Sequence, residues 1–236
     1  MPSTLSWIDR DSKARDRTLR ILSLFQEKES RDELGLGSVR DSLADQLFPG
    51  TSTIQTRLRY MLFVPWIYHS LEEKKIPAES FAAQADKLER DLVRPLMDSD
   101  DQGGVFGKTA GMKLKRLPSS VYWAGLGIWG IRTTPFSQDE YHRRIDETYR
   151  RRNALKALEK DAKMRGDDIE VEQRIAALSW HPRLPEPPED FPGVVNFALS
   201  REEAEFIRDR IQVACGDSLL SFLVLHHVQN LKRQAN

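Results

Sequence analysis

The stretch from Arg31 to Tyr68, RDELGLGSVRDSLADQLFPGTSTIQTRLRYMLFVPWIY, constrains this chain most. It holds two helical patterns on either side of the dipeptide Pro49-Gly50. In the first, Ser38 is a natural N-cap, and Val39, Leu43 and Leu47 recur every four residues. Proline cannot donate the next helical hydrogen bond and glycine permits a turn, so the first helix stops at 49–50. Thr51, Ser52 or Thr53 then caps a second helix, on which Ile54, Leu58, Met61 and Leu62 share one face. Gln55, Thr56 and Arg59 point the other way, and Pro65 kinks or ends the helix. Helix, turn and hydroxyl-rich helix entry over 38–62 is the grammar of a helix-turn-helix unit.

The rest of the chain also reads as mainly helical. Residues 11–29 carry Leu19, Leu22 and Phe25 at helical spacing. Residues 78–94 place Phe81, Ala85, Leu88 and Leu92 on one side, and 138–165 carry a thin stripe through Tyr141, Ile145 and Tyr149. The SREE at 200–203 has capping-box spacing ahead of a helix to about Ala214, and a final helix spans 218–234. The apolar, glycine-rich run 119–131 is consistent with a buried helix or a strand-turn pair, and a few short strands are expected around 119–135 and 194–199. The five prolines of 181–193 predict an extended connector or a wrapped arm rather than a regular element. The expected organisation is a helical core over 1–180, a proline-rich connector over 181–199 and a C-terminal helical pair over 200–236. The chain stops soon after the apolar run of the last helix. That suggests a shortened chain or a face awaiting a partner.

Composition narrows the function classes. Lys plus Arg equals Asp plus Glu at 36 each, so the formal net charge is zero. A global basic field for nucleic acid is absent, and binding of that kind needs a local patch. Cys215 is the only cysteine, which rules out an internal disulfide and suits a reducing cytoplasm. No run of 18 apolar residues exists, so no membrane partner is expected.

The helix-turn-helix pattern makes Thr51, Ser52, Thr53, Gln55, Arg57 and Arg59 candidate contacts to nucleic acid, most simply DNA. Hydroxyls and a helix N-terminus suit phosphates, and Gln and Arg suit base edges. A local basic excess supports them: residues 108–152 carry ten Lys or Arg against four Asp or Glu. Lys113, Lys115 and Arg116 complete the candidate edge. The competing reading is a solvated, internally paired helix face. Residues 1–75, with 12 basic and 11 acidic residues, have no excess of their own.

Other motifs are weaker. GLGIWG at 125–130 matches G-x-G-x-x-G, but Trp129 sits inside the turn and Thr133-Thr134-Pro135 cuts off any following helix. Its glycines suit close packing beside Trp123 and Trp129 better than a cofactor, and no cofactor is expected. The histidines lack an H-x-x-x-H pair, so no metal site is expected. Asp41 and Asp45 lie four apart on one helix face, leaving a metal-dependent nuclease as an alternative.

The run LSWIDRDSKARDR, the stretch Arg31–Tyr68, RLPSSVYWAGLGIWGIR, WHPRLPEPPEDFP and SREEAEFIRDRI together resemble a bacterial group, domain-of-unknown-function family 6361. The likeness covers most of 5–225, and LFPGTSTIQTRLRYMLFVPW is its most specific phrase. The resemblance implies an association with anti-phage gene clusters and partner proteins encoded beside this chain. It also implies longer relatives, and it transfers no catalytic residue. The expected function is a non-enzymatic, nucleic-acid-associated defence component, with a protein-interaction scaffold or a nuclease as alternatives.

Overall fold

A computed structural model describes residues 36–111, 114–165 and 177–234, with backbone alone at 163–165 and 227–234. The helix anticipated at 11–29 and Lys113 lie outside the described residues. The chain divides into two units, Met1–Ala44 and Asp45–Asn236. Helix α1 (Leu36–Leu47) runs across that division. Leu36, Val39, Leu43 and Leu47 on it are exposed.

The second unit is built around α2 (Tyr60–Glu73). Tyr60 through Tyr68 are all buried, as a helix apolar on every side requires. Pro65 lies inside this helix, which continues past it to Glu73. Helix α3 (Ala78–Asp91) buries Phe81 and Ala85, and a short α4 (Val93–Met97) buries Leu96. Helix α5 (Pro118–Ile128) starts with proline at its first turn, where the missing N–H costs nothing. Helix α6 (Gln138–Arg165) contributes Tyr141 and Ile145 to the core. Helices α3 and α5 pack on α2, and α6 packs on α3 and α5.

Helix α7 (Arg201–Ala214) opens on the full capping box. Ser200 Oγ accepts from the Glu203 amide at 3.1 Å, and Glu203 Oε2 accepts from the Ser200 amide at 3.0 Å. Helix α8 (Leu219–Gln234) folds back against α7. The fold class is mainly α. Among the described residues, β structure is limited to one antiparallel bridge between Arg132 and Trp180. The strands anticipated at 119–135 and 194–199 do not form, because α5 takes the first segment into the core. No helix among the described residues is long and apolar enough to cross a membrane.

One element differs from its sequence expectation. The second helix of the anticipated helix-turn-helix starts at Tyr60, not at Thr51–Thr53. The polar residues before it are drawn into side-chain hydrogen bonds instead. Of the two readings of the proline-rich segment, its contacts are those of an arm laid on the core. Phe191 stacks on Phe63 at 5.9 Å and meets Trp66 edge-on at 5.2 Å, and Trp66 Nε1 donates to the Pro185 carbonyl at 2.7 Å.

Glycines permit one close crossing. Gly50, at φ +79°, lies against Trp129, whose indole N–H donates to the Pro49 carbonyl at 2.8 Å. Gly125 of α5 lies over the same turn. A Cβ there would stand 2.8 Å from Met61 Cε and closer still to the Gly50 carbonyl oxygen. The GLGIWG glycines therefore serve packing.

Below α5, a buried carboxyl sets a pH dependence. Glu89 is 1% exposed and accepts from the Ser119 amide at 2.7 Å. Gln138 Nε2 bridges Ser119 Oγ at 2.7 Å and Tyr68 Oη at 2.8 Å, and Tyr68 meets His142 Nε2 at 3.1 Å. Burial lifts the Glu89 carboxyl from 4.5 to about 7. The folded state then holds this proton more tightly than the unfolded state. Stability from this group is complete below about 4.5 and is lost as pH rises to about 7. The full loss is roughly 3 kcal/mol at 1.36 kcal/mol per unit. Glu89→Gln is expected to flatten urea-unfolding free energy across that window. An unchanged slope would show that Glu89 is not the titrating group.

Candidate functional site

The structure separates the candidate nucleic-acid residues into two kinds. Thr51, Ser52 and Thr53 are exposed. Thr51 Oγ1 donates to the Phe48 carbonyl at 2.8 Å, and Ser52 Oγ accepts from the Ile54 amide at 3.4 Å. Gln55 turns inward and donates to the Gly50 carbonyl at 3.2 Å. Lys115 and Arg116 are exposed just before α5. Thr51–Thr53 instead follow the turn packed against the C-terminal half of α5, through Gly125 and Trp129. The two groups therefore sit toward opposite ends of a helix roughly 15 Å long at 1.5 Å per residue.

Arg57 and Arg59 are engaged within the fold. Arg57 Nη2 bonds Asp101 Oδ1 at 2.7 Å, its Nε donates to the Gly103 carbonyl at 2.6 Å, and its guanidinium lies 5.3 Å from the Phe197 ring. Arg59 is 8% exposed. Its Nη2 bonds Glu203 Oε1 at 2.7 Å, and its Nη1 donates to the Asn196 backbone carbonyl at 2.9 Å and side-chain oxygen at 2.8 Å. The guanidinium also lies over Phe63 and Trp66. This one side chain ties the start of α2 to the start of α7 and to the chain before it.

Tyr122 of α5 fixes the intervening backbone. Its oxygen accepts from the Thr56 amide at 2.9 Å and the Arg57 amide at 3.0 Å, while its hydroxyl donates to the Arg57 carbonyl at 2.8 Å. Thr56 Oγ1 adds a bond to the Gly104 carbonyl at 2.6 Å. Tyr122→Phe strands two amides and is expected to cost about 1–3 kcal/mol, read as a lower urea midpoint at constant slope. A midpoint equal to wild type would show that these bonds do not hold the loop.

The basic run of α6 is also paired in part. Arg144 meets Glu140 at 3.3 Å, Arg151 meets Glu147 at 3.4 Å, and Arg152 meets Glu72 at 2.7 Å. Glu72 and Arg152 line a cavity of about 500 Å³ bounded by Trp66, Trp180, Leu184 and Pro185. Tyr141 donates to Glu72, and burial beside that carboxylate holds its phenol well above the ordinary range. Arg152 also donates to the Ala177 carbonyl and to Ser179 Oγ, both at 2.9 Å. The pairing of buried Glu72 with half-buried Arg152 thus braces α2 against α6 and residues 177–179.

Asp41 on α1 pairs with its neighbour Arg40 at 2.8 Å, both exposed. Among the described residues, no group of three His, Cys, Asp or Glu side chains is placed to hold a metal ion.

Helix α8 presents the remaining feature. Ser221 is buried and Leu220 and Val224 pack against the core. Leu219, Phe222, Leu223 and His226 occupy the opposite face at i, i+3, i+4 and i+7, all exposed. Phe222 is 54% and Leu223 48% exposed, large values for apolar side chains. The Phe222 and His226 rings lie 4.0 Å apart between centroids. The sequence signal was present in the apolar run of the last helix, but which side faced out required the position of α7.

The chain belongs to a family of unknown function, DUF6361, whose model matches residues 2–228. No curated protein and no solved structure matches the chain.

Proposed function

We propose that this DUF6361 chain is a protein-docking subunit that presents the outward face of α8 to a partner. The observation carrying this reading is the apolar seam Leu219–Phe222–Leu223, exposed on a helix whose other side is seated on the core. Apolar anchors at i, i+3, i+4 and i+7 are the usual form in which one helix offers itself to a groove or another helix. The arginines nearest the hydroxyl-rich turn are bound to Asp101 and Glu203, which favours docking over phosphate contact.

The resemblance of LFPGTSTIQTRLRYMLFVPW to proteins of anti-phage gene clusters supports a place in a bacterial defence complex. Products of adjacent genes are the partners to test. Co-expression and size-exclusion chromatography are expected to show a complex that Leu223→Glu abolishes with an unchanged circular dichroism spectrum. Complexes that survive both Leu223→Glu and Phe222→Asp overturn the reading.

A further inference from the structure

We infer that the cavity between α2, α6 and residues 177–187 binds a small amphipathic anion, its apolar body against Trp66 and Leu184 and its charged head beside Arg152. The site shares no residue with the α8 seam and does not depend on the docking reading. Its volume of about 500 Å³ falls within the roughly 300–1,000 Å³ usual for small-molecule sites. Trp66, Leu155, Leu178, Leu184 and Pro185 make much of the wall apolar. The wall is also preformed, since the Trp66 indole is fixed by its bond to the Pro185 carbonyl and by Phe191. A preformed wall spares a ligand part of the ordering cost of binding.

A second cavity, of about 380 Å³, adjoins the first at Glu72, Arg152 and Lys156, which line both. Its wall carries three cations, Lys75, Arg152 and Lys156, against two carboxylates, Glu72 and Glu73. An apolar space beside a cationic one suits a ligand with an apolar body and an anionic head. The remaining acids, Glu159 and Glu186, stand only on the first wall, so they push such a head toward the junction. Arg152 is set to receive it. Its Nε donates to the Ala177 carbonyl, and its Nη2 serves Ser179 Oγ and Glu72. Those contacts fix the guanidinium and leave Nη1 without a bond to a described residue, on a side chain that is 22% exposed. A guanidinium held in place with donors to spare is a ready partner for a carboxylate or phosphate. Lys156 lies one turn further along the same face of α6, and neither it nor Lys75 forms an ion pair among the described residues. Of the two acids at the junction, Glu72 is met by Arg152 and Glu73 lies 3.7 Å from His69.

Calorimetric titration of the full chain with 2-naphthoate and with 2-naphthyl phosphate tests the site. At least one is expected to bind at a single saturable site with a dissociation constant below about 1 mM, and the tighter of the two identifies the head. Neutral 2-naphthamide is expected to bind about tenfold more weakly or worse, because it lacks the charge-assisted bonds. Leu155→Trp adds bulk to the apolar wall and is expected to remove binding of both anions with the urea midpoint unchanged. Lys156→Ala changes an exposed side chain with no bond to lose, so it folds as wild type does; it is expected to weaken the anions several-fold and leave the amide unaffected. Failure of both anions to bind overturns the inference. So does an amide that binds as tightly as the anions, or anion binding that both variants leave unchanged. None of these outcomes bears on α8, whose docking is read from complexes with neighbouring gene products.

Discussion

Arg59→Met is expected to destabilise the protein by about 3–5 kcal/mol, the range for removing one partner of a buried ion pair. Glu203 would be left with its charge buried, 4% exposed, and held by the capping amide alone. Asn196 would lose both bonds from Arg59 Nη1. Pairing Arg59→Met with Glu203→Gln removes the stranded charge and is expected to recover a large part of the loss. Urea unfolding of the two single variants and the double variant gives the coupling directly. Independent, additive losses would contradict the buried pair.

Gly125→Ala is expected to be nearly as damaging through sterics alone. The added methyl collides with the Gly50 carbonyl and Met61 Cε. The carbonyl belongs to a turn already held by the Trp129 indole and the Gln55 amide, so it cannot retreat cheaply. The cost is expected at or above about 3 kcal/mol, the upper part of the overpacking range. Gly127→Ala is the control. Its methyl would meet the guanidinium of Arg132, the far end of a long side chain. A thermal scan is expected to show a large drop for the first variant and a smaller one for the second; equal drops would mean that the turn yields.

Local patterns in the sequence located most helices. The stripe through Tyr141 and Ile145 marks α6, and SREE marks the start of α7, because capping and helical periodicity are decided within a few residues. The threonine-rich turn shows the limit. Hydroxyls ahead of an apolar run have the form of a helix cap, but here Tyr122 and Gly104 supply bonds from distant parts of the chain. Arg59 shows it again, since Glu203 is 144 residues away. One signal did bear on both: Tyr60 to Tyr68 carries no polar face, and a helix of that composition belongs in the centre of a fold. An arginine entering such a helix is bound to be enclosed with it. The proline-rich segment left connector and wrapped arm both open for a related reason. Proline marks an irregular backbone, but the packing of Phe191 and Leu184 on the core depends on where the helices leave room.

The stretch from Thr51 to Arg59 is tied into the fold through Gln55, Thr56, Arg57 and Arg59, and the proposed docking role asks no nucleic-acid contact of it. Fluorescence anisotropy of labelled duplex and single-stranded oligonucleotides, titrated with the full chain at low salt, tests it most directly. The expected result is no binding that depends on this stretch, with wild type and Arg57→Ala giving the same flat titration. Saturable binding that weakens steeply with added salt, and that Arg57→Ala removes while the protein stays folded, would contradict it.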